Sequence, residues 1–230
     1  MSHTHPLEGA LKNILTRIGA RLSRRRLEHA QAVVNYLRLG HWMQEHNFAF
    51  RRLVEDREQV WATVARQVCQ QRVLYLEFGV AEGAAMSYWA RALKHPNSVL
   101  RGFDSFEGLP ESGGPWTRGQ FSTGGSVPEI GDPRVGFVKG WFSQTLPVYQ
   151  VPAHETLIIN MDADLYSSTI YVLRYLRPHF RTGSFIYFDD LFCPEQEPRA
   201  FAEFLTESGL KFKPVCAMRS LASAFFECEG

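Results

Sequence analysis

Two apolar runs that each end in carboxylates constrain this chain most. Thr156-Leu157-Ile158-Ile159-Asn160-Met161 runs into Asp162-Ala163-Asp164, and Ser184-Phe185-Ile186-Tyr187-Phe188 runs into Asp189-Asp190. Runs of this length, rich in β-branched and aromatic residues, read as buried parallel strands. Open α/β sheets bind ligands at the carboxyl ends of such strands. If the two strands are neighbours, their ends lie about 5 Å apart. Three or four carboxylates then converge, and neither cluster contains a Lys or Arg. Such a group stays solvated, raises its pKa values or holds a cation.

The rest of the chain supplies the sheet that these two strands need. From Val73 strands alternate with helices. Val73–Phe78 and Ser98–Phe103 are the first two predicted strands, with a helix over Ala84–Lys94 between them. Val135–Val138 is the third, and the two acid-tipped runs are the fourth and fifth, separated by a helix near Ser168–Phe180. A helix near Pro198–Ser208 precedes two closing strands, Leu210–Cys216 and Leu221–Cys228. Their connection is too short for a parallel crossover, so this last pair is expected to be antiparallel. The pattern predicts an α/β fold, a seven-stranded and mostly parallel sheet with helices on both faces. Before it, residues 1–70 read as an N-terminal helical extension to the α/β domain of residues 71–230. There Leu7, Leu11, Ile14, Leu15, Ile18 and Leu22 recur at helical spacing. Two further helices are predicted over Leu27–Glu45 and Phe50–Gln70.

Bulk properties exclude several classes. The net charge of +1 gives no field that selects nucleic acid. Four dispersed cysteines with no CxxC pair argue against a zinc site and a disulfide framework, so a reducing cytoplasm is the expected compartment. No apolar run is long enough to span a bilayer, and the first residues lack a signal-peptide core. A membrane surface is not an expected partner, although Arg24-Arg25-Arg26 keeps it as a rival for the helical extension.

Glu77-Phe78-Gly79-Val80-Ala81-Glu82-Gly83 occupies the first strand-to-helix turn. Gly79 permits a tight turn and a close ligand approach. Gly83 permits close packing of the next helix, whose amino terminus points at the ligand. The spacing is neither the GxGxxG dinucleotide fingerprint nor a P-loop. Asp104 ends the next strand, where a carboxylate can accept both hydroxyls of a ribose. A plain tight turn with Asp104 as a cap is the bland alternative. Glu77 and Asp104 together favour a nucleoside site.

The glycine turn, Gly102-Phe103-Asp104-Ser105-Phe106-Glu107-Gly108-Leu109-Pro110, Asp162-Ala163-Asp164-Leu165-Tyr166-Ser167-Ser168-Thr169 and Asp189-Asp190 occur in that order. This series resembles the macrocin O-methyltransferase family, over about Val73–Ala200. The resemblance implies a Rossmann-like class I methyltransferase fold, S-adenosylmethionine as cofactor and a sugar hydroxyl of a natural product as acceptor. It implies that Glu77, Gly79 and Gly83 line the methionine side of the cofactor and that Asp104 holds the ribose. Ser105 and Phe106 would neighbour the adenosine, and Trp141 and Phe142 the adenine, unless these two are ordinary core. Ser87, one turn into the helix, either reaches the cofactor carboxylate or is a packing serine. Asp162, Asp189 and Asp190 match the family's magnesium-binding positions.

The residues themselves agree with that metal assignment. Hard oxygen ligands without Cys or His favour Mg²⁺, Mn²⁺ or Ca²⁺. A dication bound to two vicinal hydroxyls lowers the pKa of one. The alternative for the set is capping and solvated turns, and Asp164 in particular can cap the following helix with Ser167 and Ser168. One departure stands out. Catechol-type enzymes carry a lysine base three positions after the first metal aspartate, and here that residue is Leu165. The base is left among Asp162, Asp164, Asp190 and residues of the loop or N-terminal helices, with His41, His46 and His154 as lesser contributors.

Glu107–Asp132 is dense in Gly, Pro, Ser and Thr, and so long a segment is a lid, a binding loop or disordered. Its Trp116, Arg118, Gln120 and Phe121 suit a sugar face, or merely pin the loop. The sequence thus predicts a cation- and S-adenosylmethionine-dependent O-methyltransferase acting on a small-molecule or glycosylated acceptor, as a homo-oligomer. A scaffold of the same fold without turnover is the alternative, and an NAD-dependent oxidoreductase is disfavoured by the glycine spacing.

Overall fold

The computed structural model describes residues 6–230, with side chains from Gly9 onward. In chain order the strands are β1 (Leu53–Val54), β2 (Val73–Phe78), β3 (Val99–Asp104), β4 (Val135–Lys139), β5 (Thr156–Met161), β6 (Phe185–Phe188), β7 (Phe212–Met218) and β8 (Ala224–Cys228). The helices are α1 (Pro6–Gly19), α2 (Arg24–Glu45), α3 (Arg57–Val68), α4 (Ala84–Ala92), α5 (Phe142–Thr145), α6 (Tyr166–Leu176) and α7 (Glu197–Ser208).

The strands form one sheet in the order β1-β7-β8-β6-β5-β2-β3-β4. β2, β5 and β6 are buried on both faces, which explains their unbroken apolar runs. Alternation along β2 divides the core. Leu74, Leu76 and Phe78 face α6, α7 and the end of α2, where Leu173, Leu176, Phe201, Leu39 and Trp42 pack. Val73 and Tyr75 face α3 and α4, against Trp61, Val64, Met86 and Trp89. Each such large side chain contributes about 1.5–3 kcal/mol by leaving water. β8 runs antiparallel between β6 and β7, as expected for the closing pair.

The structure departs from the sequence reading between residues 50 and 70. The long third helix breaks up, because Asp56 accepts a hydrogen bond from the Gln59 amide at 2.9 Å and so starts α3 at Arg57. The residues before it are drawn to the sheet edge, where Leu53 and Val54 pair in parallel with Ala217 and Met218. The sheet therefore has eight strands among the described residues rather than seven. Phe48 and the α3 residues Val60, Trp61 and Val64 are core. The α/β body accordingly begins before residue 53, and the part that stands outside it is α1 with the first half of α2.

Candidate active site

The carboxyl ends of β2, β3, β5 and β6 open on one cavity of about 710 Å³. Its floor is set by Gly79, with φ +87°. A Cβ there would lie 1.8 Å from the Asp162 carbonyl oxygen, so only glycine lets the exit of β5 pass beside the exit of β2. The chain then folds over the end of β3. Asp104 Oδ2 accepts from the amides of Val80 (2.8 Å) and Ala81 (3.0 Å), and Oδ1 accepts from the amide of Phe106 (2.7 Å). A carboxylate has about four acceptor sites. Asp104 thus fixes the glycine turn and keeps acceptor capacity on the cavity side.

The opposite wall is acidic. Asp162, Asp164, Asp189 and Asp190 all line the cavity. Burial, then the charges of Asp189 and Asp190, hold the Asp162 carboxyl well above the usual carboxylate range. Burial pushes Asp164 up to about 7 and Asp190 up to about 8, and the two side chains are hydrogen-bonded to each other. Asp189 takes a hydrogen bond from Tyr187 Oη at 2.5 Å on Oδ1, and Arg57 Nη1 stands 3.7 Å from its Oδ2. Asp164 adopts φ +60°, and Ala81 and Phe121 are also left-handed, so strained backbone stands at three points of the cavity wall.

Carboxylate oxygens alone, without thiolate or imidazole, are the donor set that suits a hard dication. The negative charge that adds to burial in raising these pKa values is what such an ion would relieve. Among the described residues no three of these side chains already enclose one point at ligand distance. Asp189 is turned toward Tyr187 and Arg57, and Asp190 toward Asp164.

Most sequence-predicted residues meet here. Gly79, Asp104, Ser105, Trp141 and Phe142 line the cavity with the four aspartates. Others do not. Ser87 lies in a separate shallow surface groove with Arg91, Lys94 and Arg134, because α4 turns it away from the cavity. Phe106 is buried core against Phe137. Glu77 is buried beneath the floor, where it accepts from Tyr75 Oη at 2.8 Å and burial pushes it up to about 8. Gly83 caps α4 with φ +79° and abuts Pro128 rather than the cavity. His41, His46 and His154 bond Glu45, the Trp42 carbonyl and the Pro152 carbonyl, none of them on the cavity wall.

The sequence reading missed Arg57, Tyr171, Tyr187 and Glu197. Arg57 enters from α3, outside the α/β pattern, and lies over the Trp61 ring at 5.6 Å. Tyr187 repeats on β6 the Tyr-x-acid spacing of Tyr75 and Glu77 on β2, a local signal that could have been read. Glu197 had no such signal.

The long loop after β3 forms the roof. Gly108, Leu109, Pro110, Trp116, Arg118, Gln120 and Phe121 line the cavity. Leu109 and Trp116 bury themselves against Leu165 and Cys193. Leu165, at the position of the missing lysine, is therefore an anchor for this loop, which Ser167 Oγ also ties by donating to Glu111 Oε1 at 2.5 Å.

Comparison with known proteins agrees with this architecture. The family model for macrocin O-methyltransferases (TylF) matches residues 126–225. The 8-demethyl-8-(2,3-dimethoxy-alpha-L-rhamnosyl)-tetracenomycin-C 4'-O-methyltransferase of Streptomyces olivaceus is 30% identical, over 54% of this chain and 58% of that protein. The match thus spans little more than half of that relative's length. Among solved structures, the O-methyltransferase NovP superposes with a TM-score of 0.57 at 23% identity, over 75% of this chain and 78% of its own. The calicheamicin methyltransferase CalS11 does so with a TM-score of 0.56 at 20% identity, over 98% and 94%. On these matches the chain has the fold of these O-methyltransferase structures, and over residues 126–225 it is similar to the macrocin O-methyltransferase family.

Proposed function

We propose that this protein is an O-methyltransferase that transfers the methyl group of S-adenosylmethionine to a sugar hydroxyl of a natural product, with a divalent cation. The observation that carries the reading is the single cavity. A glycine turn braced by Asp104 forms one wall, four aspartates form the other, and an aromatic loop forms the roof. The tetracenomycin relative, whose name specifies a rhamnosyl acceptor, supports a deoxysugar or similar ring as acceptor.

Asp104 would accept the ribose hydroxyls, and Trp141 and Phe142 would flank the adenine. The cofactor supplies an electrophilic methyl group on a sulfonium. Asp162, Asp189 and Asp190 would hold the cation, which acidifies a bound hydroxyl. With the cation on Asp162, Asp189 and Asp190, Asp164 would be the carboxylate left on the cavity wall to accept the hydroxyl proton in place of the absent lysine. Trp116 and Phe121 offer faces to the sugar ring, while Arg118, Gln120, Ser167 and Ser168 offer donors to its hydroxyls. The roof excludes water from the transfer.

Calorimetry with S-adenosylmethionine, S-adenosylhomocysteine and NAD, each with and without Mg²⁺, tests the reading. Binding of the two methionine-derived ligands but not NAD is expected. A screen of glycosylated acceptors for methyl transfer, repeated in EDTA, then tests turnover and cation dependence. Cofactor binding without transfer to any acceptor would favour the scaffold reading.

A further inference from the structure

Glu197 opens α7 and is wholly buried, although its side chain is a carboxylate. Its two oxygens reach different strand ends. Oε1 accepts from the amide of Ala163 at 3.2 Å, and Oε2 accepts from the amide of Asp190 at 3.1 Å. Ala163 lies between Asp162 and Asp164, and Asp190 follows Asp189. One side chain therefore spans both loops that carry the acidic wall.

Those loops need such a tie. The β5–β6 ladder ends at Met161 and Phe188, and its last backbone bond runs from the Asp189 amide to the Met161 carbonyl at 3.1 Å. Past that bond the strands diverge into turns, and their four acidic side chains repel one another. Glu197 does not cap its own helix, since both its bonds leave α7. It does not line the cavity either. A buried carboxylate beside other acids is costly, and an apolar side chain would fill the same space at less cost. Its bonding pattern supplies the compensation, a fixed distance between two backbones.

We infer that Glu197 is a positioning residue, which holds Asp162 and Asp164 at a set spacing from Asp189 and Asp190 so that oxygens of both loops meet one cation. The inference rests on the cation-dependent reading above. Tyr187 holds Oδ1 of Asp189 by donating to it, while Oδ2 stands 3.7 Å from Arg57 Nη1.

The test uses the full chain and Mn²⁺ alone, titrated by electron paramagnetic resonance, with S-adenosylhomocysteine calorimetry as the control. Glu197→Gln keeps the volume and one acceptor, but aims an amide donor at the second backbone amide. Mn²⁺ affinity is expected to fall roughly ten- to hundred-fold, as for other outer partners of metal ligands. S-adenosylhomocysteine affinity is expected to hold. If the variant does not fold, Glu197→Asp, which shortens the reach, is read in the same way. Equal Mn²⁺ affinity in wild type and variant overturns the inference alone. No Mn²⁺ binding by wild type removes the cation from the proposed reaction, and the inference falls with it. An equal loss of Mn²⁺ and S-adenosylhomocysteine binding, or failure of both variants to fold, makes Glu197 a general structural residue and also overturns the inference.

Discussion

Glu77 shows how the sheet treats a carboxylate that has no route to solvent. Burial raises it from an ordinary 4.5 to about 8, while the Tyr75 hydroxyl partly offsets the rise. Between those two values the unfolded chain has released a proton that the folded chain keeps. Stability therefore falls as pH rises through that window and levels off above it. Glu77→Gln keeps an acceptor for Tyr75 and removes the titration. Its melting temperature is expected to exceed that of wild type at pH 8 and to match it at pH 4.5. A gap of the same size at both pH values would rule the account out. Asp104 is a carboxylate at the cavity edge, bound by three backbone amides. Asp104→Ala removes a charge-assisted acceptor worth about 1.5–3 kcal/mol per bond. S-adenosylhomocysteine binding, followed by calorimetry on folded protein, is expected to weaken roughly ten- to hundred-fold. Unchanged affinity would mean that Asp104 serves only the turn.

At the scale of elements, the roof is where sequence patterning ran out. The central strands were legible because β2, β5 and β6 are buried on both faces and read as apolar runs, whereas their order in the sheet comes from the structure. The strand-end acids were legible because topology alone brings such positions together. The roof has no period to read, and its order comes from long-range burial of Leu109 and Trp116 on Leu165 and Cys193. Arg57 and Glu197 were hidden for the same reason, since each reaches the site from an element with no local sign of its task. Burial implies that the anchor, not the loop's own composition, governs its opening. Leu165→Ala should cost about 2–5 kcal/mol of local packing. Trypsin cleavage after the exposed Arg118 is expected to accelerate in this variant, and to slow in wild type when cofactor and acceptor are bound. Identical cleavage rates in all three conditions would make the segment a plain connector.

The whole molecule carries an arm that its own body leaves uncovered. α2 is anchored only at its end, where Leu39 and Trp42 enter the core, and Arg38 pairs with Glu195 at 2.8 Å. The preceding turns expose Leu27, Val33, Val34, Tyr36 and Leu37, the last 70% accessible, and α1 exposes Leu11, Ile14, Leu15 and Ile18. Exposed large apolar side chains recurring along two consecutive helices are the kind of surface that marks an interaction site. Helices α1 and α2 from two copies can cover these faces by packing together. Lys12, Arg17, Arg21 and Arg24–Arg26 on the same arm leave an anionic membrane surface as the rival. No described helix is long and apolar enough to cross a membrane. Light scattering of the intact chain at micromolar concentration is expected to give a dimer or larger assembly. Removing the first twenty-two residues, or introducing Leu37→Glu, is expected to lower the mass while cofactor affinity holds. None of the described residues changed lines the cavity wall, so a loss of cofactor binding together with the mass would point instead to an arm that completes the site. A monomeric intact chain that sediments with anionic liposomes, and is released by salt, would hand the arm to the membrane.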